Sequence, residues 1–324
     1  MNSATSEQPQ QLASEKVSRP IPWVPVAWFG GLLLAVYFPI LVKLVNQWST
    51  DEDVGHGFFV PIVAGYIVWQ RRETLMALPW KPAWWGVGLL VWSGLQAYIG
   101  MAGAELFLQR TAFLIALVGL LLVLGGVGVI RALAFPLLLL PFMIPIPTVI
   151  YNQITFPLQL FASQVAEYCL LLINIPVLRD GNILELASQK LSVAEACSGI
   201  RSLLTLSFLS LVYAYVFDRK VWMRWVLLIC VIPIALLANA GRVTITGILS
   251  EIDTKLATGV FHEMEGWVIF VIAFAMLAAT HWFINWIYSI RNMPDEPSDP
   301  DSLDDSSSPQ TSAKSSKAEE PANV

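Results

Sequence analysis

The chain has 324 residues, 56% of them hydrophobic and 13% charged, with a mean hydropathy of +0.63 and a formal net charge of −5. A soluble domain carries about 45–50% apolar and about 25% charged residues, so there are too few charges here to coat globular surfaces in water. The composition excludes a soluble enzyme, a disordered chain and a basic nucleic-acid binder, and it predicts an all-α polytopic membrane protein.

Residues 1–22 are polar and rich in Ser, Gln and Glu. No short apolar run with a small-residue cleavage site follows the start, so they read as a disordered cytoplasmic leader and not a secretory signal. Residues 23–290 form the transmembrane domain. Residues 291–324 hold eight acids and three bases, which accounts for the whole net charge. They read as a disordered acidic cytoplasmic tail.

Apolar runs that can cross a bilayer, which takes about 20 residues, fall near 26–46, 56–70, 83–101, 110–129, 132–147, 198–217, 222–241 and 264–288. About eight transmembrane helices are therefore expected. Trp23, Trp28, Trp48, Trp69, Trp84, Trp85, Trp222 and Trp282 lie toward their ends, as in an aromatic belt. Arg71, Arg72, Lys81, Arg131, Arg219, Lys220, Arg224 and Arg291 fall in connections on one side, which the positive-inside rule makes cytoplasmic. Asp51, Asp53, Glu105, Glu185, Glu195, Glu251 and Asp253 fall on the other.

The stretch 151–175 is also apolar, but Asn152, Gln159, Ser163 and Glu167 recur on one helical face. A ninth crossing there would invert every later loop. It is expected to be an amphipathic helix at the outer interface or packed among the spans. Residues 180–196, opened by Asp180-Gly181, predict a small β-hairpin on the outer face.

Three reactive residues then fall at the outer ends of three successive spans: Cys197, Arg242 and His262. A thiol ahead of a helix meets unpaired N–H groups that favour thiolate. A histidine can serve as general base and then as general acid. A fixed guanidinium can hold a tetrahedral oxyanion. Ser198 and Gly199 are small enough for a substrate backbone to approach. Read singly, each residue has a plainer role, a packed thiol or an interfacial anchor in the case of Arg242 and Arg201; their shared depth is what points to acyl transfer. Cys169, Cys230 and His281 read as structural. His262-Glu263-Met264-Glu265-Gly266 lacks the second histidine of a zinc protease motif, and no metal or other cofactor is expected.

These residues resemble the exosortase/archaeosortase family over roughly 25–290. The resemblance rests on Cys197-Ser-Gly-Ile-Arg-Ser-Leu203, on Asn239-x-x-Arg242, on His262 with Gly266-Trp267, and on Gly55-His-Gly-Phe-Phe-Val-Pro61. Gly55 departs from the serine often found there. The resemblance implies a bacterial inner-membrane cysteine protease/transpeptidase with an outer-face site, both termini being cytoplasmic. Its partners would be membrane lipids and exported proteins that end in a sorting signal: a short motif, one transmembrane helix and a basic tail. It implies Cys197 as nucleophile, Arg242 as oxyanion holder and His262 as proton carrier, with His56, Ser198, Gly199, Arg201 and Asn239 around the substrate. The competing reading is a non-enzymatic component of exopolysaccharide or lipid-linked sugar export. A transporter should carry ionisable groups at mid-bilayer, and here most charges sit at span ends.

Overall fold

A computed structural model of the chain describes residues 23–193, 199–218, 220–253 and 260–291, the side chains of residues 52, 199, 200, 260–263, 265 and 291 excepted. The leader, the tail beyond residue 291, Cys197, Ser198 and Glu195 lie outside them. The chain divides into two units, Met1–His281 and Trp282–Val324. In the second, Trp282 and Trp286 stack one turn apart with ring centres at 6.4 Å.

The first unit is mostly helical. In order come α1 (Trp23–Thr50), a 3-10 turn (Glu52–Phe58), α2 (Phe59–Gln70), α3 (Arg72–Ala77), α4 (Trp85–Ala102), α5 (Leu106–Ala132) and α6 (Ala134–Leu139). A second 3-10 turn (Leu140–Met143) and α7 (Thr148–Leu172) follow. Then come β1 (Val177–Asp180), β2 (Ile183–Leu186), β3 (Lys190–Ser192), α8 (Gly199–Phe217), α9 (Val221–Ile252) and α10 (Val260–Arg291), which continues past His281.

Among the described residues, α1, α5, α9 and most of α10 are long and apolar enough to cross a membrane. Residues 134–143 and 148–172 qualify only as a pair bent by 87°, which makes five at most. The expected eight is not reached by this measure; α4 and α8 also fall short of it. Two runs have local reasons. The run 56–70 opens in a 3-10 turn and continues as a 12-residue helix. The run 132–147 is broken by Pro141, Pro145 and Pro147, which cannot supply the N–H groups a helix needs.

The broken pieces still run between two clusters. α2 starts beside His56 and ends at Arg71, whose Nη1 donates to the Ala132 carbonyl at the end of α5. Residues 134–143 run back: Phe135 stacks on Tyr215 at 4.2 Å, while the Phe142 carbonyl accepts from His56. In the structure the ends of α2, α5 and α8 meet.

α4 and α5 pack backbone against backbone. A Cβ on Gly86 would lie 2.8 Å from the Gly119 carbonyl oxygen, and one on Gly119 would lie 3.1 Å from that of Gly86. Small residues permit this approach where lipid offers no hydrophobic drive. At Gly126 (φ 77, ψ −170) α5 kinks. The link before α4 uses the kink: Lys81 N–H donates to the Gly125 carbonyl and Ala83 N–H to that of Leu122.

The predicted hairpin is a three-stranded antiparallel sheet, ordered β1-β2-β3, that begins at Val177. It forms one core with α7 and α9, in which Ala162, Ala166, Leu170, Leu184, Val193, Ala240 and Val243 are buried. Of the two placements expected for α7, at the outer interface or packed among the spans, the structure shows packing against α9 and the sheet. Ser163 is fully buried and donates to the Gly181 carbonyl at 2.9 Å; Gln159 Oε1 accepts from Asn182; Glu167 pairs with Arg179 at 2.8 Å. Gln159, Ser163 and Glu167 thus serve the sheet, whose β1–β2 turn presents polar groups that need partners when buried, while Asn152 of the same stripe is exposed. The β2–β3 turn is clamped in turn to the end of α9, where Ser188 N–H donates to Glu251 and Ser188 shares a hydrogen bond with Ser250.

Candidate active site

The tight segment after α1 builds the first part of the site. Asp51 accepts from Asp53 N–H and fixes the 3-10 turn. Gly57 lies under the Trp48 ring, where a Cβ would come within 2.3 Å of Nε1. Trp48, expected in the aromatic belt, is 8% exposed and donates to the Met143 carbonyl at 2.9 Å. The correction is physical: an indole N–H inside a core needs an acceptor, and residues 140–143 leave carbonyls free.

His56 Nε2 lies 3.1 Å from the Phe142 carbonyl. A carbonyl only accepts, so Nε2 carries the proton, and Nδ1 is left buried without a partner.

Asp53 joins three elements. Its carboxylate accepts from Arg201 Nε at 2.8 Å and from the Tyr151 hydroxyl at 2.8 Å. Arg201 sits in the first turn of α8 and Tyr151 in the first turn of α7. Both ionic partners are partly exposed, 43% for Arg201 and 26% for Asp53, so the pair adds about 1 kcal/mol at most. Its larger effect is to fix where the guanidinium lies, one turn beyond Cys197 in sequence.

Arg242 and Asn239 lie on α9, three residues apart. Asn239 is buried and lines a shallow cleft with Leu203 of α8, Leu158 of α7, and Ile232, Ala235 and Leu236. Arg242 is half-buried, and a methyl on Gly266 of α10 would meet its Cζ and Nη2 at 3.4 Å. Gly266 is one turn after His262 on the same helix. Leu203, two residues past Arg201, and Asn239, three before Arg242, meet in that cleft, which links the two groups of residues.

Of the residues singled out in the sequence, the structure places Arg201 on Asp53, His56 on Phe142, Asn239 in the cleft and Arg242 against Gly266. Gly199 is the first residue of α8. Cys197, Ser198 and the side chain of His262 fall outside the described residues. The flanks of the Cys197 segment are described: Val193 is buried in the core that holds Ala240 and Val243, and Gly199 belongs to α8. Sequence reasoning missed Asp53 and Tyr151 as site residues. Asp53 stood out only as one acid in an outer connection, and a pairing across 148 positions leaves no mark in one sequence. Among the described residues no group of histidine, cysteine, aspartate and glutamate could hold a metal ion.

The family model described as transmembrane exosortase matches residues 48–279. No curated protein matches the chain, and no solved structure matches it.

Proposed function

We propose, since the chain belongs to the transmembrane exosortase family, that it is a cysteine protease/transpeptidase of a bacterial inner membrane that removes C-terminal sorting signals from exported proteins. Family membership suggests sorting-signal processing at a membrane; the residue roles and the orientation are our reading. The observation that carries it is the placement of Arg242 against Gly266, one turn after His262 on α10.

In this reading Cys197 thiolate attacks the substrate carbonyl carbon. The carbonyl electrons move to oxygen, and Arg242 donates to that oxyanion. When the intermediate collapses the C–N bond breaks, and His262 gives its proton to the leaving amine. A thioester on Cys197 remains. Water or an amine then adds to it, His262 takes the proton, and the thiolate is released. Asp53 and Tyr151 hold Arg201 at the mouth of the site, and Asn239 lines the cleft beside it. A substrate anchored by its own helix presents the scissile bond at a fixed depth, which supplies part of the orientation catalysis needs.

Eight crossings with both termini cytoplasmic fit this chemistry. Support comes from the two clusters: Arg71, Ala132, Phe135 and Tyr215 meet at one end, and His56, Phe142, Asp53, Tyr151 and Arg201 at the other.

The test is an in-cell assay. The chain is co-expressed with exported reporters ending in a short motif, a transmembrane helix and a basic tail, and reporter mass is followed. We expect the reporter to lose its helix only where the chain is present. A reporter that keeps its helix with every tail, or loses it without the chain, overturns the proposal.

A further inference from the structure

The cluster at the other end of the bundle plays no part in this chemistry. Arg71 donates from Nε to the Tyr215 hydroxyl at 2.6 Å and from Nη1 to the Ala132 carbonyl at 3.1 Å. Its guanidinium carbon lies 5.2 Å from the centre of the Tyr215 ring. Arg224, in the first turn of α9, places its own 4.9 Å from that ring and 5.1 Å from the ring of Phe135. The two rings stack face to face at an angle of 7°. Two guanidinium groups therefore share one aromatic platform and are close enough to repel.

Their engagement differs. Arg71 is tied to the protein through two nitrogens. Arg224 makes no hydrogen bond among the described residues, and its Nε is buried without an acceptor. The charge of Asp218 reaches Arg224, but that carboxylate already accepts from Lys220 N–H at 2.8 Å and pairs with His281 at 3.2 Å. Among the described residues, the anion whose charge reaches Arg224 is thus one already bound to other partners.

A partly buried cation beside a like charge is stabilised when an anion joins it. A guanidinium over a ring keeps N–H groups that can meet phosphate oxygens two at a time. Position decides which phosphate. Arg72 covers the exposed Trp69 at 4.6 Å, and Trp222 is also exposed, as interfacial residues are. Val216, Phe217, Val221 and Trp225 around the cluster are exposed and apolar, a surface that acyl chains would cover and a soluble ion would not.

We infer that Arg71 and Arg224 bind the headgroup phosphate of an anionic phospholipid between the ends of α2, α6, α8 and α9. A basic pocket between helices at the cytoplasmic surface suits such a headgroup.

The experiment is native mass spectrometry of the full chain in detergent, titrated with phosphatidylglycerol, phosphatidylcholine or inorganic phosphate. Wild type should bind phosphatidylglycerol about tenfold more tightly than does Arg224→Gln, the loss expected from removing charge-assisted hydrogen bonds. Phosphatidylcholine should bind both weakly and alike. Arg224 is the residue to change because it supports no neighbour through a hydrogen bond. If the glutamine variant does not fold, Arg224→Lys keeps the charge without the fork and should lose most of the preference. Arg131→Gln, an exposed arginine at the end of α5, should keep it. Equal phosphatidylglycerol affinity in wild type and the Arg224 variants overturns the inference, as does equal binding of the two lipids by wild type. Displacement of the lipid by millimolar inorganic phosphate would give the site to a soluble anion and also overturn it.

Discussion

Cys197→Ala should leave the reporter untrimmed, at the level seen without the chain, while the protein stays folded and inserted. The sulfur is the atom that forms the covalent bond in the proposed reaction, and alanine offers nothing in its place. Cys169 of α7 and Cys230 of α9 are free, half-buried thiols, and alanine at either should change trimming little. Thermal unfolding of the three variants, beside the reporter assay, separates lost chemistry from lost fold. Trimming that persists in Cys197→Ala would falsify the cysteine mechanism. Removing an oxyanion donor costs roughly 100- to 1000-fold in rate, and Arg242→Gln in the same assay should fall in that range if the guanidinium takes that role.

Gly126→Ala should be strongly destabilising. At φ 77 and ψ −170 the residue occupies a region that is essentially restricted to glycine. The new Cβ would also stand 1.9 Å from the Lys81 carbonyl oxygen, which is backbone and cannot swing aside. The Lys81–Gly125 and Ala83–Leu122 hydrogen bonds depend on that approach. Strain of about 1–3 kcal/mol, with loss of two backbone bonds at about 1 kcal/mol each, is a large share of a typical stability of 5–15 kcal/mol. We expect a sharply lowered unfolding temperature and poor accumulation in the membrane. Gly128→Ala, two residues on, meets nothing within 4 Å and should be near neutral. Similar behaviour of the two variants would count against the kink as the cause.

Much of the helical plan was legible because apolar runs of 18 residues and more have few alternatives in a bilayer. α1, α4, α5, α8, α9 and α10 all fall where the runs fall. The errors came where hydropathy and backbone disagree. Residues 132–147 are as apolar as a span, yet three prolines make them a short helix, a turn and an extended piece. On α7 the periodicity of Gln159, Ser163 and Glu167 was visible, but periodicity says only that a face is polar. It does not tell a sheet from water. Trp48 looked interfacial by position and is buried, because the acceptor it needs arrives from residue 143. In the site, Arg201, Arg242, His56 and Asn239 could be picked out by motif. Asp53 could not, since its role is defined by side chains 98 and 148 positions away.

The sharp bend between residues 143 and 148 has a consequence for how the protein is made. Its carbonyls at Phe142 and Met143 are bonded by His56 and Trp48, side chains from the first fifth of the sequence. Backbone that leaves helical form in an apolar setting is tolerated only where protein supplies its partners. Synthesis runs from the N-terminus, so these two donors leave the ribosome some ninety residues before the carbonyls they serve. The early segment thus acts as a waiting template for the later one. A chain begun after residue 58 would meet its own bend with no one to receive it, however complete its later helices.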